Sequence, residues 1–241
     1  MKTTSRTSLG FAALASTLAL SAPPADAASQ LSFHRLDAVV GSPTTAILAR
    51  DLNGDGRLDL VVSGGQRVFV LTGQGDGRFE VTWSGAAGEN PVDLAIADLD
   101  EDGLADLAVT NHETDYVTLL FGIAEGGFER RDHSRFRVNV SPHPHAVRLQ
   151  DVDSDGHADL LVDDRSPESI RLFRGRGDGT FSGATSIDVG GDPYRGMSLA
   201  DVTGDGLADL ITPNPDHVAI LVAEEDGGFR PRAILPAAPR C

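Results

Sequence analysis

An acidic nine-residue loop occurs four times in this chain, as DLNGDGRLD, DLDEDGLAD, DVDSDGHAD and DVTGDGLAD. The loops begin at Asp51, Asp98, Asp151 and Asp201, at intervals of 47, 53 and 50 residues. Oxygen-bearing side chains stand at loop positions 1, 3, 5 and 9, and glycine stands at position 6, where a backbone reversal lets these oxygens converge. Converging oxygens are suited to a hard divalent cation, and calcium, which takes roughly six to eight oxygen ligands, is the expected one.

Electrostatic repulsion makes a cation important to such a loop. Two unit charges about 4 Å apart interact by roughly 1 kcal/mol in bulk water and about 4 kcal/mol at an effective dielectric constant of about 20. The second and third loops carry four carboxylates each, whereas the first and fourth have the neutral residues Asn53 and Thr203 at position 3. We therefore predict tighter calcium binding by the second and third loops.

The EF-hand is the main alternative for a loop that begins in this way. It requires a bidentate Glu at position 12 and lies between two helices. Here position 12 is Val62, Val109, Val162 or Thr212, each within a strand-like segment. An EF-hand is therefore excluded.

Each acidic loop belongs to a repeating unit of about 50 residues. A short apolar segment precedes the loop, two β-rich segments follow it, and the unit ends in a glycine-rich turn and a phenylalanine. These phenylalanines, at 28, 30, 30 and 28 residues after the loop starts, are Phe79, Phe128, Phe181 and Phe229. We interpret them as packing residues between sheets, each at the start of a fourth strand. Four short strands per unit predict an all-β protein built from β-propeller blades.

The repeats resemble FG-GAP or VCBS repeats, the blades of the integrin alpha-chain propeller and of many secreted bacterial proteins. The resemblance rests on the acidic loop, the DLxV strand after it and the GxGDGxF turn, and extends from about residue 31 to about residue 235. It implies four-stranded blades in which the acidic loop joins the first two strands. It also implies calcium bound through side chains at positions 1, 3, 5 and 9 and the main-chain carbonyl at position 7.

The resemblance implies one set of ligands for each loop. With position 7 contributing its carbonyl oxygen, these are Asp51, Asn53, Asp55, Arg57 and Asp59; Asp98, Asp100, Asp102, Leu104 and Asp106; Asp151, Asp153, Asp155, His157 and Asp159; and Asp201, Thr203, Asp205, Leu207 and Asp209.

Four units raise the question of how the blade series ends, because integrin-like propellers have seven blades. The chain is expected to form a small closed ring, a partial propeller, or part of a larger ring completed by self-association. The segment 31–40 resembles the last strand of a preceding unit, as does the segment from Gly228 to Pro236.

The N-terminal segment has the composition of a secretory signal peptide over residues 1–27. Lys2 and Arg6 precede an apolar stretch of about 14 residues, which is short for a membrane span, and residues 25–27 form a small-residue cleavage site. We therefore expect a secreted or periplasmic protein with one repeat domain over residues 28–241. The single cysteine, Cys241, has no partner for an intrachain disulfide.

The charge of the chain restricts its partners. The formal net charge is −16, and 14 of the acidic residues are aspartates of the four loops. Nucleic acids and anionic membrane surfaces require a basic face, so neither is an expected partner.

Two groups of residues outside the acidic loops are candidates for a ligand site. His143 and His145 stand two residues apart in the sequence SPHPH, where an ordinary loop and a metal or ligand site are both open. Polar loops follow the second strands, at residues 63–67, 111–115, 163–169 and 214–217, and would lie at the end of the blades opposite the acidic loops.

The sequence shows no recognisable catalytic motif. It predicts a secreted calcium-binding repeat protein that acts as a binding or adhesion module for an extracellular protein or carbohydrate, with calcium in a structural role. The alternatives are an enzyme acting on an extracellular polymer, with His143 and His145 as candidate residues, and a structural part of a larger assembly.

Overall fold

The structure, a computed structural model, describes residues 35–112, 114–141, 143–166, 168–193 and 196–236, the last five by their backbone. Contacts divide the chain into Met1–Arg35 and Leu36–Cys241, and the fold below is that of the second unit. The predicted signal peptide, residues 1–27, lies outside the described residues. Among the residues that are described, no helix is long and apolar enough to cross a membrane.

The described part of the chain forms four antiparallel sheets, one for each repeat. We call these sheets blades 1 to 4. The strands of blades 1 and 2 are β1 (Thr44–Arg50), β2 (Asp59–Gly64), β3 (Arg67–Gly73), β4 (Phe79–Ala86), β5 (Pro91–Ala97), β6 (Asp106–Asn111), β7 (Tyr116–Ile123), β8 (Gly127–Glu129) and β9 (Arg135–Arg137). The strands of blades 3 and 4 are β10 (Val147–Gln150), β11 (Asp159–Asp164), β12 (Ser169–Gly175), β13 (Phe181–Asp188), β14 (Ser198–Ala200), β15 (Asp209–Pro213), β16 (His217–Ala223) and β17 (Phe229–Pro236).

Each blade pairs its strands in sequence order, as predicted for propeller-type blades. In blade 2 the fourth position is divided, because β8 pairs with the end of β7 and β9 pairs with its beginning. A turn between β8 and β9, closed by a hydrogen bond from the Ser134 N–H to the Arg131 carbonyl oxygen, makes this division. The all-β, four-stranded architecture is therefore confirmed.

The core lies between consecutive sheets. Side chains alternate between the two faces of a strand, so each blade presents one apolar face to the blade before it and another to the blade after it. Three clusters of buried residues join blade 1 to 2, blade 2 to 3 and blade 3 to 4. Phe128 and Phe181 are buried in the first two of these clusters, and Phe229 packs against the third, so these phenylalanines are packing residues, as predicted.

The two ends of the blade series differ from its middle. Val62, Phe69 and Leu71 form a fourth cluster, which contains residues of blade 1 and the adjacent Val40. Within the described residues, no cluster of buried side chains joins blade 4 to blade 1.

Residues 35–40 form no strand, although the sequence resembles the last strand of a preceding blade. Such a strand would need the third strand of that preceding blade as its partner. The first acidic loop, which begins at Asp51, follows this segment. Residues 31–34 lie outside the described part of the chain. The corresponding C-terminal segment does form a strand, β17.

Candidate functional site

The four acidic loops each connect the first strand of a blade to the second. Their position 6 glycines have the left-handed backbone expected from the sequence, with φ of 81° at Gly56, 88° at Gly103, 93° at Gly156 and 92° at Gly206. Position 4 is also left-handed, with φ of 72° at Gly54, 56° at Glu101, 61° at Ser154 and 80° at Gly204. The sequence did not predict the left-handed backbone at position 4, because the Glu and Ser found there in two loops are not typical of this conformation.

Backbone N–H groups hold the first carboxylate of every loop. Position 1 accepts a hydrogen bond from the N–H of position 6, at 2.8 Å for Asp51, 2.9 Å for Asp98, 2.9 Å for Asp151 and 2.9 Å for Asp201. Position 5 likewise accepts from the N–H of position 7, for example at 2.9 Å between Asp102 and Leu104. Each of these bonds uses one carboxylate oxygen and leaves the other for a second partner.

The aspartate at position 9 is buried in all four blades and accepts two backbone hydrogen bonds. One comes from the N–H of loop position 2 and the other from the end of the third strand. For Asp106 the donors are Leu99 and Gly122, both at 2.7 Å. For Asp209 they are Val202 and Ala223, both at 2.9 Å. Asp59 and Asp159 make the equivalent pairs, so this residue connects three strands of its blade.

Two loops bring three carboxylates together. Oxygens of Asp98, Asp100 and Asp106 lie within 4.8 Å of one another, as do those of Asp151, Asp153 and Asp159. Buried oxygens without a hydrogen-bond partner are found in the same two loops, namely Oδ1 of Asp98, Asp100 and Asp151. These are the loops for which the sequence predicts the tightest calcium binding, and their geometry suits a cation.

The first and fourth loops form no such group among the described residues. Asn53 and Thr203 supply no carboxylate at position 3, and Asp55 forms an ion pair with Arg57 at 2.5 Å. In the fourth loop the Thr203 hydroxyl lies 3.4 Å from Asp201. The position 7 residues Arg57, Leu104, His157 and Leu207 offer the carbonyl oxygens that the family resemblance implies, and their role as ligands stays a prediction.

An arginine lies beside each group of three carboxylates. Arg131 forms an ion pair with Asp100 and stacks over the Phe121 ring, 4.2 Å from the ring centroid. Arg174 lies 3.2 Å from Asp153 and 3.0 Å from Asp159. Both guanidinium groups offset part of the carboxylate charge.

Burial is the main influence on the position 9 carboxylates of these two loops. It raises the pKa of Asp106 to about 6, against the lowering effect of its hydrogen bonds from Gly122 and Leu99, and nearby Asp100 and Asp102 raise it further. Burial also raises the pKa of Asp159, while Arg174 lowers it. A cation in either group would favour the charged carboxylates.

One contact joins the second acidic loop to the third. The imidazole Nδ1 of His157 lies against the carboxylate of Glu101, which raises the pKa of His157 mainly through the hydrogen bond between them. The Gly179 N–H, in the turn before β13, also donates to the Leu99 carbonyl oxygen at 2.8 Å. Hydrogen bonds therefore link blade 3 to the acidic loop of blade 2, and one of them joins the two acidic loops directly.

The opposite end of blades 2 and 3 carries a group of histidines. His143 and His145, singled out in the sequence, meet His112, which lies in the polar loop after β6. Sequence reasoning missed His112 because 31 residues separate it from His143. Only the packing of β10 against blade 2 brings the three together.

Two grooves lie along the blades. One, of about 680 Å³, lies between blades 3 and 4, with an apolar floor of Leu172, Ile187 and Leu221 and polar groups at Thr185 and Asp188. The other, of about 720 Å³, lies on blade 1 over Val62 and Leu71.

These blades, with an acidic loop between the first two strands of each, define an all-β repeat protein of the β-propeller class. The sequence profile of the FG-GAP-like repeat matches residues 51–109 and 151–212, which together make up half of the chain. The chain therefore belongs to the FG-GAP-like repeat family. None of the curated proteins compared with it matches significantly.

Solved structures with a similar fold include a protein from Lactobacillus plantarum, with a TM-score of 0.62 and 20% identity over 82% of this chain and 56% of that one. An Agrocybe aegerita lectin that recognises non-reducing terminal N-acetylglucosamine has a TM-score of 0.55 and 23% identity over 78% of this chain and 51% of the lectin. A functionally unknown protein from Desulfotomaculum acetoxidans has a TM-score of 0.57 and 11% identity over 83% of this chain and 58% of that one. The chain thus spans somewhat more than half the length of the structures it resembles.

Proposed function

We propose that this chain is an exported calcium-binding repeat protein that binds an extracellular carbohydrate or protein ligand, as an adhesion or recognition module. The calcium assignment rests on two groups of three converging carboxylates. One group is formed by Asp98, Asp100 and Asp106, and the other by Asp151, Asp153 and Asp159. Each group contains at least one buried oxygen that lacks a hydrogen-bond partner, two in the second loop and one in the third, and burial of an unsatisfied carboxylate oxygen is costly. A calcium ion would satisfy those oxygens and balance the charge.

The proposed calcium ions stabilise the blades and take no part in chemistry. At about 1 mM extracellular calcium and a dissociation constant of about 0.1 mM, each site would contribute roughly 1.4 kcal/mol. Two to four sites would then contribute roughly 3 to 6 kcal/mol, a large part of the stability of about 5–15 kcal/mol that is usual for a domain.

Calcium titration and thermal melts test this part of the proposal. We expect the melting temperature to fall in chelator and to return with calcium, and calorimetry to show tighter binding by the second and third loops. Asp100→Asn should weaken one site, whereas Asp76→Asn, in the exposed turn before β4, should weaken none. A melting temperature that does not respond to chelator would contradict the structural role of calcium.

The ligand surface that we propose is the groove between blades 3 and 4. Its apolar floor and its polar groups Thr185 and Asp188 combine the two elements of a small-ligand site, and sugars present both apolar ring faces and hydroxyl groups. The lectin of similar fold makes a carbohydrate the first ligand class to examine. Because a fold alone does not define a function, the ligand class has to be established by binding measurements.

Binding to glycan and protein arrays, with calcium and with chelator, tests the ligand assignment. We expect Asp188→Asn and Thr185→Ala to reduce binding by about tenfold or more, as loss of a polar contact of about 1.5 kcal/mol would. Glu80→Gln is the matched control, because Glu80 is an exposed carboxylate on the fourth strand of blade 1. Equal loss in the control, or no retained probe in either condition, would contradict the proposal.

A further inference from the structure

Three imidazole rings from two blades lie in contact at the end of blades 2 and 3. One nitrogen from each of His112, His143 and His145 lies within 4.8 Å of the other two. The ring centroids are 3.9 Å apart for His112 and His143, 5.0 Å for His112 and His145, and 4.7 Å for His143 and His145. All three residues are partly buried, so the group is neither enclosed in the core nor fully exposed.

The strands on either side fix the position of this group. His112 directly follows β6, and His145 comes two residues before β10. The Thr110 hydroxyl, near the end of β6, donates a hydrogen bond to the His145 carbonyl oxygen at 3.0 Å. The acidic loops follow β5 and β10 and precede β6 and β11, so the histidines lie at the other end of these strands.

A buried carboxylate faces one of the three rings. Asp163 is fully buried at the end of β11, and its Oδ1 accepts hydrogen bonds from the N–H groups of His145 and Ala146, both at 2.7 Å. Its Oδ2 lies 3.6 Å from Nδ1 of His145 and has no hydrogen-bond partner within the described structure. A carboxylate facing Nδ1 favours the tautomer that leaves Nε2 as the metal-binding atom, which is the usual arrangement of a metal-bound histidine.

The blade fold does not require these histidines. Strand register aligns Val147 with Ile47 and Leu94, since their partners Val162, Val62 and Val109 occupy the same place in the second strand. His145 thus corresponds to Thr45 in blade 1 and to Val92 in blade 2. His112, six residues after the buried Asp106, corresponds likewise to Gly65 and Arg165. Among the described residues, a group of three histidines occurs only at this blade junction, and the equivalent positions of the other blades show that blade packing does not require it.

We propose that His112, His143 and His145 form a binding site for a zinc-class divalent metal ion, with Asp163 as a positioning residue. Imidazole nitrogen is a ligand for zinc and similar transition metals, whereas calcium prefers oxygen. Tetrahedral zinc with bonds of about 2.0–2.1 Å places its nitrogen ligands about 3.3 Å apart, so small side-chain rotations from the observed arrangement suffice. Three protein ligands leave a fourth position open for water or for an oxygen atom of a bound ligand.

Zinc and cobalt titrations of the full chain, carrying no polyhistidine tag and freed of metal by chelator, test this proposal. We expect one zinc ion to bind here, and cobalt to give the intense visible absorption of a tetrahedral site. His112→Gln, His143→Gln and His145→Gln should each weaken zinc binding by about 100-fold or more, and Asp163→Asn by about 10–100-fold. His133→Gln is the matched control, because His133 is an exposed histidine outside the group that makes an edge-to-face contact with Phe121.

Two further measurements separate this site from the acidic loops and from loss of folding. Asp100→Asn should leave zinc affinity unchanged while it weakens calcium binding. In the unaltered protein, zinc should shift the imidazole NMR signals of three of the seven histidines, which requires no substitution. The proposal is overturned if no histidine signal shifts, if the triple glutamine variant binds zinc as the unaltered chain does, or if Asp100→Asn abolishes zinc binding.

Discussion

At the level of single residues, the aspartate at loop position 9 has two separable roles. In every blade it accepts backbone hydrogen bonds from its own loop and from the end of the third strand. In the second and third loops it also belongs to the carboxylate group that we assign to calcium. The structural role therefore applies to all four blades, whereas the metal role is strongest in two.

Asp209→Ala tests the structural role, because the fourth loop forms no group of three carboxylates within the described residues. The substitution leaves the part-buried N–H group of Val202 and the buried N–H group of Ala223 without an acceptor, and an unsatisfied buried donor costs about 1–3 kcal/mol. We expect the free energy of unfolding to fall by about 2–5 kcal/mol in urea denaturation with chelator present. The control Asp226→Ala, in the turn before β17, should change it by less than about 1 kcal/mol. If both substitutions lowered the free energy of unfolding equally, the structural role of the position 9 aspartate would be contradicted.

Arg174 should act as an electrostatic competitor of calcium in the third loop. Its guanidinium lies close to Asp153 and Asp159, two of the proposed ligands. Arg174→Met removes the positive charge and keeps much of the side-chain volume, so we predict about tenfold tighter calcium binding by the third loop and a lower melting temperature in chelator. Calorimetric titration measures the affinity, with Arg176→Met, in the turn that follows β12, as the control. Weaker binding in Arg174→Met would contradict this prediction.

At the level of elements, the hairpin between the first two strands is the unit that calcium should order. Its backbone is reversed twice, at positions 4 and 6, and its position 1 carboxylate accepts a hydrogen bond from the N–H of position 6. In the second and third loops a cation would join position 1 to position 9, and hence the hairpin to the third strand.

Amide hydrogen exchange should therefore respond to calcium unequally among the hairpins. We expect calcium to slow exchange at least about tenfold at Gly103, Leu104, Gly156 and His157, in the second and third loops. A smaller change is expected at Gly56 and Gly206, the matched positions of the first and fourth loops. The same change in all four loops would contradict the ranking of the sites, and no change in any loop would contradict calcium binding by these hairpins.

At the level of the whole molecule, the ends of the blade series expose apolar residues that its middle buries. Ile47 of β1 is 66% exposed, although its equivalents Leu94 and Val147 are buried against the preceding blade. Val202, at loop position 2 of blade 4, is 52% exposed, whereas its equivalents Leu52, Leu99 and Val152 are 9%, 4% and 2% exposed. Blade 1 thus presents the face that normally meets a preceding blade, and blade 4 the face that meets a following one.

We predict that two or more copies of the chain associate so that blade 4 of one copy covers blade 1 of the next. Such a head-to-tail contact either closes into a ring or continues as a filament. Light scattering after size exclusion should give a multiple of the monomer mass, which is 25.3 kDa for the full chain. Ile47→Asp or Val202→Asp should shift the population to monomer.

Val81→Asp is the control for this association, because Val81 is an exposed apolar residue on the outer strand of blade 1. It should leave the mass unchanged. A monomer at every concentration, or dissociation by the control alone, would contradict head-to-tail association.

Much of this protein was predictable from local sequence. The acidic loop, its glycine at position 6 and the phenylalanine that begins the fourth strand recur at nearly constant spacing, and each encodes a turn or a strand within about 50 residues. Local encoding of this kind is usual in repeat proteins, in which each unit contacts chiefly its neighbours. The blade architecture, the strand order and the family follow from it.

Contacts between blades were decided only by the tertiary structure. The meeting of His112 with His143 and His145 and the absence of a strand at residues 35–40 depend on which surface packs against which. The arginines beside two of the acidic loops come from a later segment of the same blade, so their position also depends on tertiary structure. Sequence alone determined that the chain consists of blades with acidic hairpins, because periodic turns and alternating apolar residues are local properties. Tertiary structure decided which side chains converge, because distances between residues of different blades depend on packing.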